Sequence, residues 1–162
     1  MKGLQEMGQR LAAYLEENGL PVVEAWGEES RERPGRAVAA VGLRGFESGP
    51  PGFLDYLGER YDPGRGCWEE LYGKRVEATF GLDVYGGTAG EVRRGLELLA
   101  GLLERGPEGL RPVGFSAGET VYDGESRRYR CPVQARFLVW ATAVSRGEEA
   151  FLDFEVRGEE HI

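Results

Sequence analysis

From Arg75 to Val84 the side chains alternate without a break. Val76, Ala78, Phe80, Leu82 and Val84 are apolar, and Arg75, Glu77, Thr79, Gly81 and Asp83 are polar or lack a side chain. Successive side chains of a strand point to opposite faces, so this pattern predicts a strand with one buried side and one side facing water or a partner. Gly86-Gly87-Thr88 then interrupts it, and a new period begins. Val92, Leu96, Leu99 and Leu103 recur at helical spacing, which predicts a helix over Ala89–Arg105. Thr88 stands at its N-cap with Glu91 in the capping-box position, and Gly106-Pro107 ends it. A sheet strand feeding directly into an amphipathic helix constrains the fold more than any other feature of the chain.

A second alternation lies in "RRYRCPVQARFLVWATAV". Cys131, Val133, Ala135, Phe137, Val139 and Ala141 take one face, and Arg130, Gln134, Arg136, Leu138 and Trp140 take the other. Pro132 has no N–H to give to a ladder, which places the start of this strand at a sheet edge or bulge. Upstream, Leu4, Met7, Leu11 and Leu15 predict a helix stopped by Asn18-Gly19. Residues 20–26, 37–46, 111–123 and 151–158 read as further strands. The expected fold is α+β: a mainly antiparallel sheet of four to six strands, with two amphipathic helices on one face. The length of 162 residues suits a single domain over 1–162.

Composition narrows the function. Twenty basic against 28 acidic residues give a net charge of −8, which argues against sequence-independent binding of nucleic acid. Cys67 and Cys131 fit neither a disulfide framework nor a Cys-x-x-Cys metal site, and read as reduced thiols. The N-terminus lacks the apolar core of a signal peptide, and no window approaches a membrane span. A soluble, intracellular protein is expected, with no membrane partner.

The residues offer little to catalysis. The one histidine, His161, stands beside the C-terminus, so no Cys–His pair or Ser-His-Asp triad is expected within the fold. "GCWEELYGKR" has the wrong spacing for a phosphate loop, and Arg75 stands where Ser or Thr should bind magnesium. "GFSAG" matches a nucleophile elbow in letters, but a strand rather than a helix follows Ser116. Asp62, Glu69 and Glu70 lack the ligand order of a calcium loop. Glu77 and Asp83 would stand roughly 20 Å apart along one strand, too far for an acid–base pair. No catalytic, cofactor-binding or metal-binding residue is assigned, and no cofactor is expected.

Surfaces carry more. Arg75, Glu77 and Asp83 on one strand and Arg128, Arg130 and Arg136 on another are placed as charged faces, paired within the sheet or across a subunit boundary. Leu138 and Trp140 share that polar side and need an apolar cover, either the Gly49–Gly73 loop folding back or a neighbouring chain. Between the strands stands "GPPGFLDYLGERYDPGRGCWEELYGKR", with Phe53, Leu54, Tyr56, Leu57, Tyr61, Trp68 and Tyr72 among many Gly and Pro. It reads as a long irregular loop inserted at about 47–74. Trp68 and Tyr72 would lie near the core, and Phe53 to Tyr61 would reach outward. These aromatic types anchor interfaces.

The chain resembles the tail terminator (tail completion) proteins of long-tailed bacteriophages and prophage-derived tail particles. Three pieces carry the resemblance: "LQEMGQRLAAYLEENG" leading into "LPVVEAWGEE", the strand–helix unit "VEATFGLDVYGGTAGEVRRGLELLAGLLER", and the late hairpin "ETVYDGESRRYRCPVQARFLVW". The resemblance implies a small α+β structural subunit that forms a ring, typically a hexamer, at the head-proximal end of the tail tube. Its partners would be copies of itself and tail tube, sheath or connector proteins. DNA would pass through the ring without specific binding. The place would be the bacterial cytoplasm during assembly and the virion or tail-like particle afterwards. The alternatives are another small tail, connector or baseplate protein, or a ligand- or peptide-binding domain with the loop as lid.

Overall fold

The computed structural model describes residues 3–24, 35–49, 55–110, 112–145 and 154–157. Phe53, Leu54 and His161 lie outside the described residues.

The chain opens with helix α1 (Leu4–Glu17), whose buried stripe is Leu4, Met7, Leu11 and Leu15. The Asn18 side chain donates to the Tyr14 carbonyl, and Gly19 takes a left-handed conformation at φ 92°. Its N–H and that of Leu20 reach the Glu16 and Leu15 carbonyls, closing the helix as the sequence predicts. Strands β1 (Val22–Glu24) and β2 (Val38–Ser48) follow and pair in parallel. Then come β3 (Asp55–Asp62) and the 20-residue β4 (Cys67–Gly86).

Helix α2 (Ala89–Arg105) has the predicted bounds. Thr88 Oγ1 accepts from the Glu91 N–H at 3.1 Å, and the Glu91 carboxylate accepts from the Gly87 N–H at 2.8 Å. Two donors that the first turn cannot satisfy are thereby satisfied. Val92, Leu99, Leu102 and Leu103 are buried and Leu96 partly so. At Gly95 the helix comes so near the sheet that a Cβ would stand 2.5 Å from that of Ala37 and 3.0 Å from Val84.

The remaining elements are β5 (Pro112–Ala117), β6 (Val121–Asp123), β7 (Arg128–Cys131), β8 (Val133–Ser145) and β9 (Phe154–Arg157). Apart from β1–β2, every strand pair is antiparallel. The α+β expectation holds. Among the described residues nine strands rather than four to six share the sheet, because the aromatic segment adds β3, the 111–123 region divides at Gly118, and the late strand divides at Pro132.

The core sits between the sheet and the helices. Val76, Ala78, Phe80, Leu82 and Val84 of β4 meet Cys131, Val133, Ala135, Phe137 and Val139 of β7 and β8, all at most 1% exposed. Phe80 and Phe137 meet edge to face at 5.7 Å. Each buried Val, Leu or Phe among them contributes about 1.5–3 kcal/mol from the area it removes from water, and each Ala less.

Pro132 does not mark an edge. It separates β7 from β8 inside the sheet, where the outer neighbour changes from β6 to β5 while β4 runs past on the other side. Its missing N–H falls where one ladder ends and the next begins.

The irregular loop is also corrected. Residues 55–73 form an antiparallel hairpin, with β3 pairing the first residues of β4 from Asp55–Gly73 to Asp62–Cys67. The turn is closed by the Asp62 carboxylate, which accepts from the Gly64 N–H at 2.9 Å, and by the Gly66 N–H to Asp62 carbonyl bond at 2.8 Å. Gly66 takes φ 65°, and Gly58 at φ 124° sits in the bulge that sets Leu57 out of register.

Candidate interaction surfaces

The side of the sheet away from the helices carries the polar residues predicted for it, and the fold pairs Asp83 with Arg130 and Glu77 with Arg136 within the chain. Asp83 is the centre. Its carboxylate is 4% exposed and accepts from Arg130 Nη2 at 2.7 Å, Arg130 Nε at 3.1 Å and Arg44 Nη2 at 2.9 Å. It also accepts from the Val133 N–H at 3.2 Å. Val133 follows the Pro132 break, so the carboxylate takes the first N–H after the interrupted ladder. The carboxylate in turn holds the Arg130 guanidinium above the usual arginine range. A buried carboxylate with this many donors is satisfied.

Arg44 reaches Asp83 by lying across Gly81, where a Cβ would stand 2.2 Å from Arg44 Nε. Arg136 reaches Glu77 at 3.5 Å between half-exposed groups, a weak surface pair. Arg128 stands opposite Asp123 in the β6–β7 register. A concavity of about 500 Å³ opens beside these groups, lined by Arg44, Phe46, Glu47, Glu77, Thr79 and Arg136.

Further along the same side, the predicted cover for Leu138 and Trp140 is partly their own chain. Both are half-buried. Leu138 stands opposite Glu77 and Trp140 opposite Arg75 in the β4–β8 register, and the Arg75 guanidinium lies over the Trp140 ring at 5.5 Å. The bulge turns Leu57 onto Gly73, where a Cβ would meet Leu57 Cδ1 at 2.6 Å and the Trp140 ring at 3.3 Å. Leu57 and Trp140 therefore converge over Gly73, at the root of the hairpin.

The helix side of the hairpin behaves differently. The alternation that buries Val76 continues outward through Lys74, Tyr72, Glu70 and Trp68. Beyond the helices, Tyr56 pairs Tyr72 and Tyr61 pairs Trp68 across the strands, with rings 5.4 and 5.5 Å apart. Between them stands the Glu59–Glu70 pair. Tyr56, Tyr61 and Trp68 are 56, 52 and 65% exposed. The Tyr72 hydroxyl donates to Glu70 at 3.0 Å, and that carboxylate raises the Tyr72 pKa above its ordinary value. Tyr56 is raised as well, by reduced contact with water and by the Glu59 and Glu70 charges. On the reverse side Arg60 binds Glu69 at 3.0 Å, and Glu69 is 1% exposed.

Trp68 is thus corrected in place. It lies with Tyr61 near the turn, at the outer end of the hairpin, while Tyr56 and Tyr72 lie nearer its root. The alternation along the two long strands places Asp83, Arg130, Arg136 and Glu77 on one sheet face and gives no sign of the roles of Arg44, Glu59 and Glu70. Arg44 stands at the irregularity of β2, where the register on β4 shifts between Leu43 and Gly45. Glu59 and Glu70 each stand two residues from an aromatic on the same strand.

Among the described residues there is no group of three or more His, Cys, Asp or Glu side chains placed to hold a metal ion. Ser116 lies within β5, opposite Gln134. No described helix is long and apolar enough to cross a membrane. Comparison with known protein families and with curated proteins returns no match.

Proposed function

We propose that this protein is a structural subunit of a phage tail or tail-like particle, a ring-forming tail terminator that caps the tail tube and joins it to the head or connector. The observation that carries this reading is the hairpin itself. It carries Tyr61 and Trp68, exposed and in tilted contact with each other, on a domain whose buried core does not include them. Large exposed aromatics on an ordered support are anchor residues in search of a pocket. The resemblance of the strand–helix unit and the late hairpin to tail terminators supplies the setting.

On this reading the molecule works by assembly and performs no catalysis. A head-to-tail interface repeated around a rotation axis closes a ring. The hairpin then docks a tube, sheath or connector protein. The net charge of −8 suits a ring through which DNA slides without sticking. Light scattering at high protein concentration, with negative-stain imaging, tests the reading. Closed rings of several copies are expected; a monomer under all conditions with no ring in the images would remove the ring-forming role.

A further inference from the structure

The helix-side face of the hairpin has an order that selects its partner. From root to tip its cross-strand pairs are Tyr56–Tyr72, Glu59–Glu70 and Tyr61–Trp68: aromatic, acidic, aromatic. Neighbouring pairs on one face of a strand are about 7 Å apart. Tyr56, Tyr61 and Trp68 are exposed and favour cover, while Tyr72 is half-buried. The carboxylates oppose an apolar cover, because a carboxylate stripped of water needs a countercharge or hydrogen-bond donors. Tyr72 supplies one donor to Glu70. An anionic partner is repelled. A planar guanidinium meets both demands, since it pairs with carboxylates and stacks on aromatic rings.

We propose that this face docks an arginine-bearing, extended segment of a partner protein other than a second copy of this chain. One arginine of the segment sits between Glu59 and Glu70. The residues two positions to either side fall on the Tyr56–Tyr72 and Tyr61–Trp68 pairs, because alternate residues of an extended chain repeat at about the same 7 Å. Tyr61 and Trp68 clasp the outer flank, and Lys74, the next residue on this face towards the core, marks its inner limit. The inference deepens the docking half of the proposed function and does not depend on the ring.

The test uses fluorescence anisotropy with a labelled alternating Arg–Ala peptide as probe and the matching citrulline–Ala peptide as its uncharged twin. The arginine probe is expected to bind and the citrulline probe to bind at least about fivefold more weakly. The double variant Glu59→Gln/Glu70→Gln and the single variants Trp68→Ala and Tyr61→Ala should each weaken the probe by a similar factor. Glu97→Gln/Glu104→Gln, an equal charge change on the exposed side of α2, should alter it less than about twofold. Near-ultraviolet circular dichroism checks that each variant is folded. Equal weakening by the α2 pair would reduce the effect to bulk acidity and overturn the proposal, as would equal binding of the citrulline probe or none of the arginine probe. Self-association in sedimentation that Trp68→Ala abolishes would make the occupant a second copy and overturn the foreign partner. Rings that persist in Trp68→Ala while the probe is lost would separate this docking from ring formation.

Discussion

Asp83 and Trp68 belong to one strand and have opposite fates. At the Asp83 end of β4 a charged residue is 3% exposed and surrounded by donors from β2, β7 and β8. At the Trp68 end one of the largest apolar side chains in the protein is 65% exposed. Polarity predicts the reverse on both counts. The strand is polar inside where the ladder needs mending at Pro132, and apolar outside where it leaves the helices behind. Asp83 is thus spent on the fold, and the aromatic tip is spare. That contrast is why the hairpin, rather than the arginine face, is read as the docking surface.

Asp83→Ala is the largest expected break. It leaves the Val133 N–H without its acceptor and removes the shared partner of Arg44 and Arg130. These side chains are 45 and 35% exposed, so water recovers part of the loss. A destabilisation of about 2–4 kcal/mol is expected in urea unfolding, with the slope unchanged. A loss below about 0.5 kcal/mol would mean that the network contributes nothing and that the contrast with Trp68 is one of appearance.

Gly73→Ala comes next. A Cβ there meets Leu57 and Trp140, and the Ala141 carbonyl at 3.2 Å. Leu57 can swing aside; the carbonyl belongs to the ladder. The expected cost is about 1–2 kcal/mol, with the hairpin root displaced. Hydrogen exchange should show faster exchange in β3 than in β2, because β3 packs chiefly on β4 alone. Uniform acceleration across the sheet would show instead that the hairpin is integral to the core.

Trp68→Ser sharpens the comparison from the other end. Its cross-strand contact with Tyr61 is worth roughly 0.2–1 kcal/mol, and much of its surface is already in water. The midpoint of unfolding should move little. A loss above about 2 kcal/mol would make Trp68 a core residue after all and remove the premise of a spare aromatic tip.

The two regions also differed in how plainly the sequence announced them. Val76 to Val84 is a half-buried strand against helices, so burial and periodicity coincide and the pattern is visible. Thr88 and Glu91 announced α2 through the chemistry of their cap. Residues 67–74 continue the same strand invisibly. There an exposed position holds Trp68, a half-buried one holds Tyr72, and a covered position holds Glu69, so hydropathy no longer tracks the pleat. Gly58 and Gly66 looked like helix breakers, yet they serve a bulge and a turn at positive φ. Asp62-Pro63-Gly64-Arg65-Gly66, a turn cluster between two aromatic segments, was the available sign of a hairpin. The Asp83 network depends on Arg44, which no local pattern ties to a residue on another strand.

The smallest expected effect is one of titration. The Glu70 carboxylate, hydrogen-bonded to the Tyr72 hydroxyl, raises that tyrosine above its ordinary value near 10, and Tyr56 is raised beside it. A raised folded-state value means that the fold favours the protonated form. The contribution to hairpin stability is therefore complete below the unfolded tyrosine value near 10 and is lost as pH rises through the raised folded value. Absorbance at the tyrosinate band should show part of the titration delayed in the native protein. Glu70→Gln removes the anion while keeping an acceptor oxygen, so Tyr72 should ionise at lower pH than in the native chain. Glu77→Gln, on the other side of β4 in the arginine face, should leave that titration where it was. If both substitutions moved it alike, the tyrosines would be responding to net charge, and the acidic pair between the aromatic rungs would lose its local meaning.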